Sequence, residues 1–110
     1  MLEFKPGKIE DDIYSYSAYE KDVKLGECTF SIDGMYMEIL SISDNIDALT
    51  AEGLVRSALN FGANRNAYIA KANPDKVDST PFITLGFSKE KDFLVSDIPS
   101  ALQGSCKDCR

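Results

Sequence analysis

Hydrophobic residues along this chain fall into short runs separated by turn residues. The run from Met35 to Ser43 (MYMEILSIS) is nearly continuous, as expected for a strand buried on both faces. After a polar turn, apolar positions at Leu49, Leu54, Ala58 and Phe61, with Val55 and Leu59 alongside, recur at helical spacing. Asp44, Asn45 and Asp47 precede that stripe as capping residues, and Gly62, Asn64 and Asn66 supply its stop. Ala67 to Ala72 (AYIAKA) reads as a second buried strand, parallel to the first. Strand, helix and neighbouring strand together make a βαβ crossover, which is right-handed in nearly all known cases. Ligands and anions favour the point where the first strand hands over to the helix.

Upstream, the pattern changes to alternation. Leu2 and Phe4 form a brief edge strand that stops at Pro6-Gly7. In Ile13 to Glu20, Tyr14, Tyr16 and Ala18 share one side while Ser15, Ser17 and Tyr19 share the other. A turn at Lys21-Asp22 leads into Val23 to Ile32, where Gly26, Cys28, Phe30 and Ile32 lie opposite Leu25, Glu27, Thr29 and Ser31. Asp33-Gly34 supplies the signal for a tight type I′ hairpin into Met35–Ser43. Downstream, Ser79 or Thr80 caps a short helix with Pro81 in its first turn, and Gly86 ends it. A strand from Phe87, a turn at Lys89–Lys91 and a strand over Asp92–Asp97 close the sheet. From Pro99 the chain turns polar and small, ending in GSCKDCR.

Composition narrows the chemistry. At 110 residues the chain supports one core. Its formal charge of −6 argues against a nucleic-acid partner, since phosphate binding relies on clustered Lys and Arg. No apolar run approaches the roughly 20 residues that cross a bilayer, and no signal-peptide core is present, so the expectation is a soluble cytoplasmic protein without a membrane partner. Histidine is absent, which leaves carboxylates, Tyr, Cys and backbone groups for any reaction. Three cysteines, only two of them close together, do not make a secreted disulfide framework.

The element order, with Leu54-Val55-Arg56-Ser57-Ala58-Leu59 on the central helix, Ala67-Tyr68-Ile69-Ala70 on the next strand and Leu85-Gly86-Phe87 after the short helix, resembles the cofactor-binding half of the GNAT N-acetyltransferase superfamily. The similarity covers roughly residues 15 to 96, and it implies an α+β fold. The expected architecture is a mixed, mainly antiparallel sheet of about six strands carrying one long and one short helix. Residues 1–98 would form a single GNAT-like domain and 99–110 a tail with Cys-x-x-Cys.

In the family, Arg/Gln-x-x-Gly-x-Gly/Ala cradles the acetyl-CoA diphosphate. That motif falls here on Ile46-Asp47-Ala48-Leu49-Thr50-Ala51, where only Ala51 fits. Many members use a tyrosine of the short helix as general acid, and Phe82 stands in that place. The pair of N-terminal helices that shapes the family's acceptor site has no counterpart. The resemblance allows two functions. One is a minimal acyl-CoA-dependent N-acetyltransferase. Ile39, Leu40, Ser41 and Ile42 would then hold the pantetheine arm through their backbone, and Leu49, Thr50 and Ala51 the diphosphate through their N–H groups. The other is a catalytically inactive binding module that takes a small-molecule ligand or acyl-CoA, or forms a homodimer through the exposed half of its sheet.

Two further features carry open alternatives. Glu38, in mid-strand, is either the general base for an amine acceptor or a residue held by an ion pair or facing solvent. Cys106 and Cys109 are a redox pair, half of a four-thiolate metal site completed by a second chain, or an unligated tail. Asp44, Asn45 and Asp47 could also hold a cation, although helix capping alone explains them there. Tyr14, Tyr16, Tyr19, Tyr36 and Tyr68 read as strand packing residues, with Tyr16 and Tyr36 alternatively flanking a pocket through their hydroxyls.

Overall fold

A computed structural model describes residues 2–107, with side chains as far as Leu102. Seven strands form one sheet in the order β1-β2-β3-β4-β5-β7-β6. They are β1 (Leu2–Glu10), β2 (Ile13–Glu20), β3 (Val23–Asp33), β4 (Tyr36–Ile42), β5 (Ile69–Ala72), β6 (Ser88–Glu90) and β7 (Phe93–Asp97), with helices α1 (Ala48–Ala63), α2 (Thr80–Thr84) and α3 (Ile98–Lys107). All neighbouring strands are antiparallel except β4 and β5, which run parallel on either side of the α1 crossover.

The alternation in β2 and β3 is as expected. Cys28, Phe30 and Ile32 turn inward with Ala18, Met37 and Ile39, and α1 covers them with Leu54, Val55, Ala58 and Leu59. Beside this core, Tyr14, Tyr16, Phe30 and Phe61 stack in one aromatic cluster, with ring centroids 4.9–6.4 Å apart. The opposite face carries polar pairs, including Lys24–Glu27, Thr29–Ser41 and Glu38–Lys71. A sheet with one covered and one polar face needs this two-sided pattern.

Several expectations are corrected. β1 does not stop at Pro6-Gly7 but pairs with β2 from Leu2 as far as Glu10; as an edge strand it can hold a proline, whose missing N–H costs no ladder bond on the open side. The hairpin between β3 and β4 turns on Gly34-Met35, flanked by the pair Asp33↔Tyr36, and only Gly34 has a positive φ (62°). That pattern is type II′ rather than I′. Leu49 leaves the helical stripe and is 73% exposed, while Thr50 is buried in its stead. Tyr36 and Tyr68 are exposed rather than packed. The segment after Pro99 is helix α3, whose first turn is capped by Asp97 Oδ2 accepting from the Ser100 amide at 3.0 Å. Ile98 and Ala101 of that helix are fully buried in the core.

Cys28 is wholly buried between the sheet and α1. Burial first, and the Glu27 charge second, push its thiol from 9.0 up to about 12. Because the folded value is raised, the stabilisation this thiol contributes is complete below pH 9 and is lost as the pH climbs towards 12. Native Cys28 is therefore expected to resist alkylation at pH 8 and to label only on unfolding, which mass mapping of iodoacetamide-treated protein with and without urea would check. Rapid native labelling of Cys28 would contradict its placement.

Candidate functional site

β4 does not pair evenly along its length. On its β3 side the register passes from Phe30↔Ile39 to Thr29↔Ser41, so Leu40 is an extra residue, a β-bulge. A bulge bends its strand and increases the local twist. On the β5 side the parallel ladder runs from Tyr36↔Ile69 to Ile39↔Ala72 and ends there. β4 continues to Ile42 paired with β3, and Ser43 closes that edge by donating to the Glu27 carbonyl at 2.9 Å. Beyond Ala72, β5 gives way to a turn in which the Lys76 amide donates to the Asn73 carbonyl at 2.9 Å. The parallel ladder thus ends beside the bulge and leaves the rest of β4 without a β5 partner.

At the mouth of this gap stands the start of α1. Asp47 is its N-cap: Oδ1 accepts from the Thr50 amide at 2.7 Å, and the Asp47 carbonyl accepts from the Ala51 amide at 3.0 Å. Hydrogen bonds from Thr50, side chain first and then backbone, hold the Asp47 carboxyl below its usual range, so it is anionic at neutral pH. Two adjoining cavities of about 100 and 260 Å³ lie between this helix start, the loop after β4 and α2. Both are bordered by Ile46, Ala51, Asp78 and Pro81; the smaller adds Asp44 and the larger Glu52. The Glu52 carboxylate is engaged by Arg56 at 2.7 Å, one helical turn on. Asp78 caps the turn into α2 by accepting from the Thr80 amide at 3.0 Å, and that bond lowers its carboxyl too. Among the described residues no lysine or arginine lines either cavity.

The structure brings some of the sequence candidates together and separates others. Ile42 and Ala51 border the cleft, while Leu40 and Ser41 lie past the last β5 pair. Ile39 is fully buried within the ladder, one step before the gap opens, and Leu49 points to solvent. Glu38 sits on the sheet face away from α1, 4.0 Å from Lys71, beside a depression of about 350 Å³. Phe82 is fully buried with its ring T-stacked on Phe87, centroids 5.2 Å apart. Cys109 and the Cys106 side chain lie outside the described residues. Asp78 and Pro81 were not anticipated as part of the cleft. The capping signal around Ser79 marked a helix start there, but only α2 docking on α1 carries it to the mouth.

Three solved structures share the architecture. A GNAT-family protein from Desulfovibrio desulfuricans superposes with a TM-score of 0.67 at 11% identity, covering 79% of this chain and 70% of its own. The PaiA N-acetyltransferase of Thermoplasma acidophilum in complex with coenzyme A gives 0.60 at 13%, covering 76% of this chain and 58% of its own. The YhbS GNAT-family N-acetyltransferase of Escherichia coli in complex with CoA gives 0.61 at 15%, covering 83% and 62%.

This chain has a GNAT-like fold.

No protein-family model and no curated protein matches it, so the likeness is one of architecture at low sequence identity. Relative to the expected plan, the GNAT-like domain has seven strands rather than six and three helices rather than two. Among the described residues no helix is long and apolar enough to cross a membrane, and no cluster of His, Cys, Asp or Glu forms a metal site. The Thr50 amide is engaged by Asp47, and Asp44 and Asp78 border the smaller cavity. Anions favour helix N-termini only where amides are free and the surrounding charge permits it.

Proposed function

We propose that the chain is a catalytically inactive GNAT-like binding module with a degraded CoA site, in which the gap between β4 and β5 takes the narrow end of an acyl-thioester ligand. The observation that carries this reading is the ladder ending at Ile39↔Ala72 beside the Leu40 bulge. It leaves the β4 edge from Leu40 to Ile42 without a β5 partner, and Ile42 borders the smaller cavity beside the start of α1. The catalytic equipment is thin by comparison. Phe82 has no proton to give and is sealed in the core, and Glu38 is held by Lys71.

A second reading, a minimal acyl-CoA-dependent N-acetyltransferase, is favoured by one placement. Glu38 stands one residue before the last ladder pair, Ile39↔Ala72, at the edge of an open depression, where a carboxylate could take a proton from an amine. Titration with acetyl-CoA and with acetyl-pantetheine, followed by thermal shift, and a thiol-release assay over a panel of amines separate the two. The module predicts stabilisation of about 2.7 kcal/mol at a hundredfold excess over Kd, without turnover. Thiol release that is abolished in Glu38→Gln would establish the enzyme instead. No stabilisation by either ligand at millimolar concentration removes both readings.

A further inference from the structure

We infer that the depression between the end of α1 and the β1–β2 edge binds a small, flat organic carboxylate, with Arg65 holding the acid group and the rings of Tyr14 and Phe61 meeting the flat body. It lies at the other end of α1 from the cleft, and the inference does not rest on the reading above.

The sheet register builds one wall. Lys8 pairs with Tyr14 and Pro6 with Tyr16, so these four residues share the face on which α1 packs. Beside the end of that helix lies a depression of about 240 Å³, lined by Pro6, Gly7, Lys8, Tyr14, Phe61 and Arg65. Arg65 follows the helix in a turn and is anchored there, its amide donating to the Gly62 carbonyl at 2.9 Å. Its guanidinium carbon stands 4.5 Å from the Phe61 ring centroid and 5.2 Å from that of Tyr14. Stacking of this kind steadies the planar fork and leaves its N–H edge for an acceptor.

Among the described residues no carboxylate pairs with that guanidinium, whereas Arg56 is taken by Glu52 at 2.7 Å. Lys8 adds a second positive charge, 3.7 Å from Asp11 in an exposed pair of the kind that contributes little. The lining thus holds two cations and no carboxylate, in a chain of net charge −6. The cleft and the depression beside Glu38 are instead bordered by acids. A carboxylate matches the guanidinium in charge and in its two-pronged shape, and a ring attached to it meets the apolar wall. Six lining residues fall short of the roughly 20 or more per partner that a protein interface engages. The volume also lies below the roughly 300 Å³ at which drug-sized sites begin, so one ring with its acid group is the fitting size.

Benzoate, benzamide and acetate are the probes, titrated into the full chain labelled with ¹⁵N and ¹³C while amide and aromatic resonances are followed. Benzoate is expected to move the signals of Tyr14, Phe61 and Arg65 saturably, with a Kd of about 1 mM or below. Benzamide, which lacks the charge, and acetate, which lacks the ring, are expected to bind at least ~10-fold more weakly. Arg65 is exposed and outside the helix, so Arg65→Gln is expected to keep the fold and its unfolding midpoint while weakening benzoate at least ~10-fold. Benzoate that leaves the three residues unmoved at ~10 mM overturns the inference. So does benzamide binding as well as benzoate, or undiminished benzoate binding by folded Arg65→Gln.

Discussion

Truncating Phe82 to alanine costs the protein about 3–5 kcal/mol, a large part of the stability a domain of this size has to lose. The ring is fully buried, rests edge-on against Phe87, and holds α2 against the core beneath the cleft. Removing it opens a cavity that α2, a helix of only 5 residues, has too little structure of its own to fill. Equilibrium urea unfolding gives the measurement. Phe82→Tyr answers a sharper question. If the family's general acid could be restored by one substitution, its hydroxyl would reach the cleft and stability would hardly change. With the ring sealed as observed, the new hydroxyl is buried without a partner, and the expected cost is about 1–3 kcal/mol. A tyrosine variant as stable as the parent would show that this side chain borders the site after all.

Deleting Leu40 closes the gap. In the present register Ile39 and Ile42 face α1 while Ser41 faces the other side, bonded to Thr29. Removing the single bulged residue leaves Ile39, Ser41 and Ile42 alternating regularly, so no side chain needs to change face. The strand loses its bend and pairs evenly with β3, so its edge moves towards the turn after Ala72, which the Lys76 amide closes by donating to the Asn73 carbonyl. The expected result is a folded protein whose amides at Ser41 and Ile42 gain protection from hydrogen exchange and whose affinity for acyl-pantetheine falls by at least ~10-fold. An unchanged exchange pattern, or undiminished binding, would mean that the bulge does not hold the strands apart.

How far the sequence could be read depends on the kind of information each element carries. Strict alternation in β2 and β3 reports which side chains face the core, because a period of two has a single solution. The capping acids before α1 were legible for the same local reason: Asp47 bonds an amide three residues away. The bulge was not legible. It falls in a run where Met37, Ile39, Leu40 and Ile42 are all apolar, so a slip of one residue leaves no mark in the pattern. Helix α3 was missed because its buried contacts, Ile98 and Ala101, are few and lie among small polar residues; what buries them is α1. Leu49 shows the reverse error, an apolar residue counted into a stripe that the docked helix turns towards water.

Local pattern alone therefore determined the order of strands and helices as far as β7, the crossover and the cap at the start of α1, since each is set by neighbours within a few positions. Where the β4–β5 ladder ends and which carboxylates share the cleft were decided only when distant segments packed together. Side chains from the β4 loop, α1 and α2 meet there through contacts that no periodicity along the chain encodes.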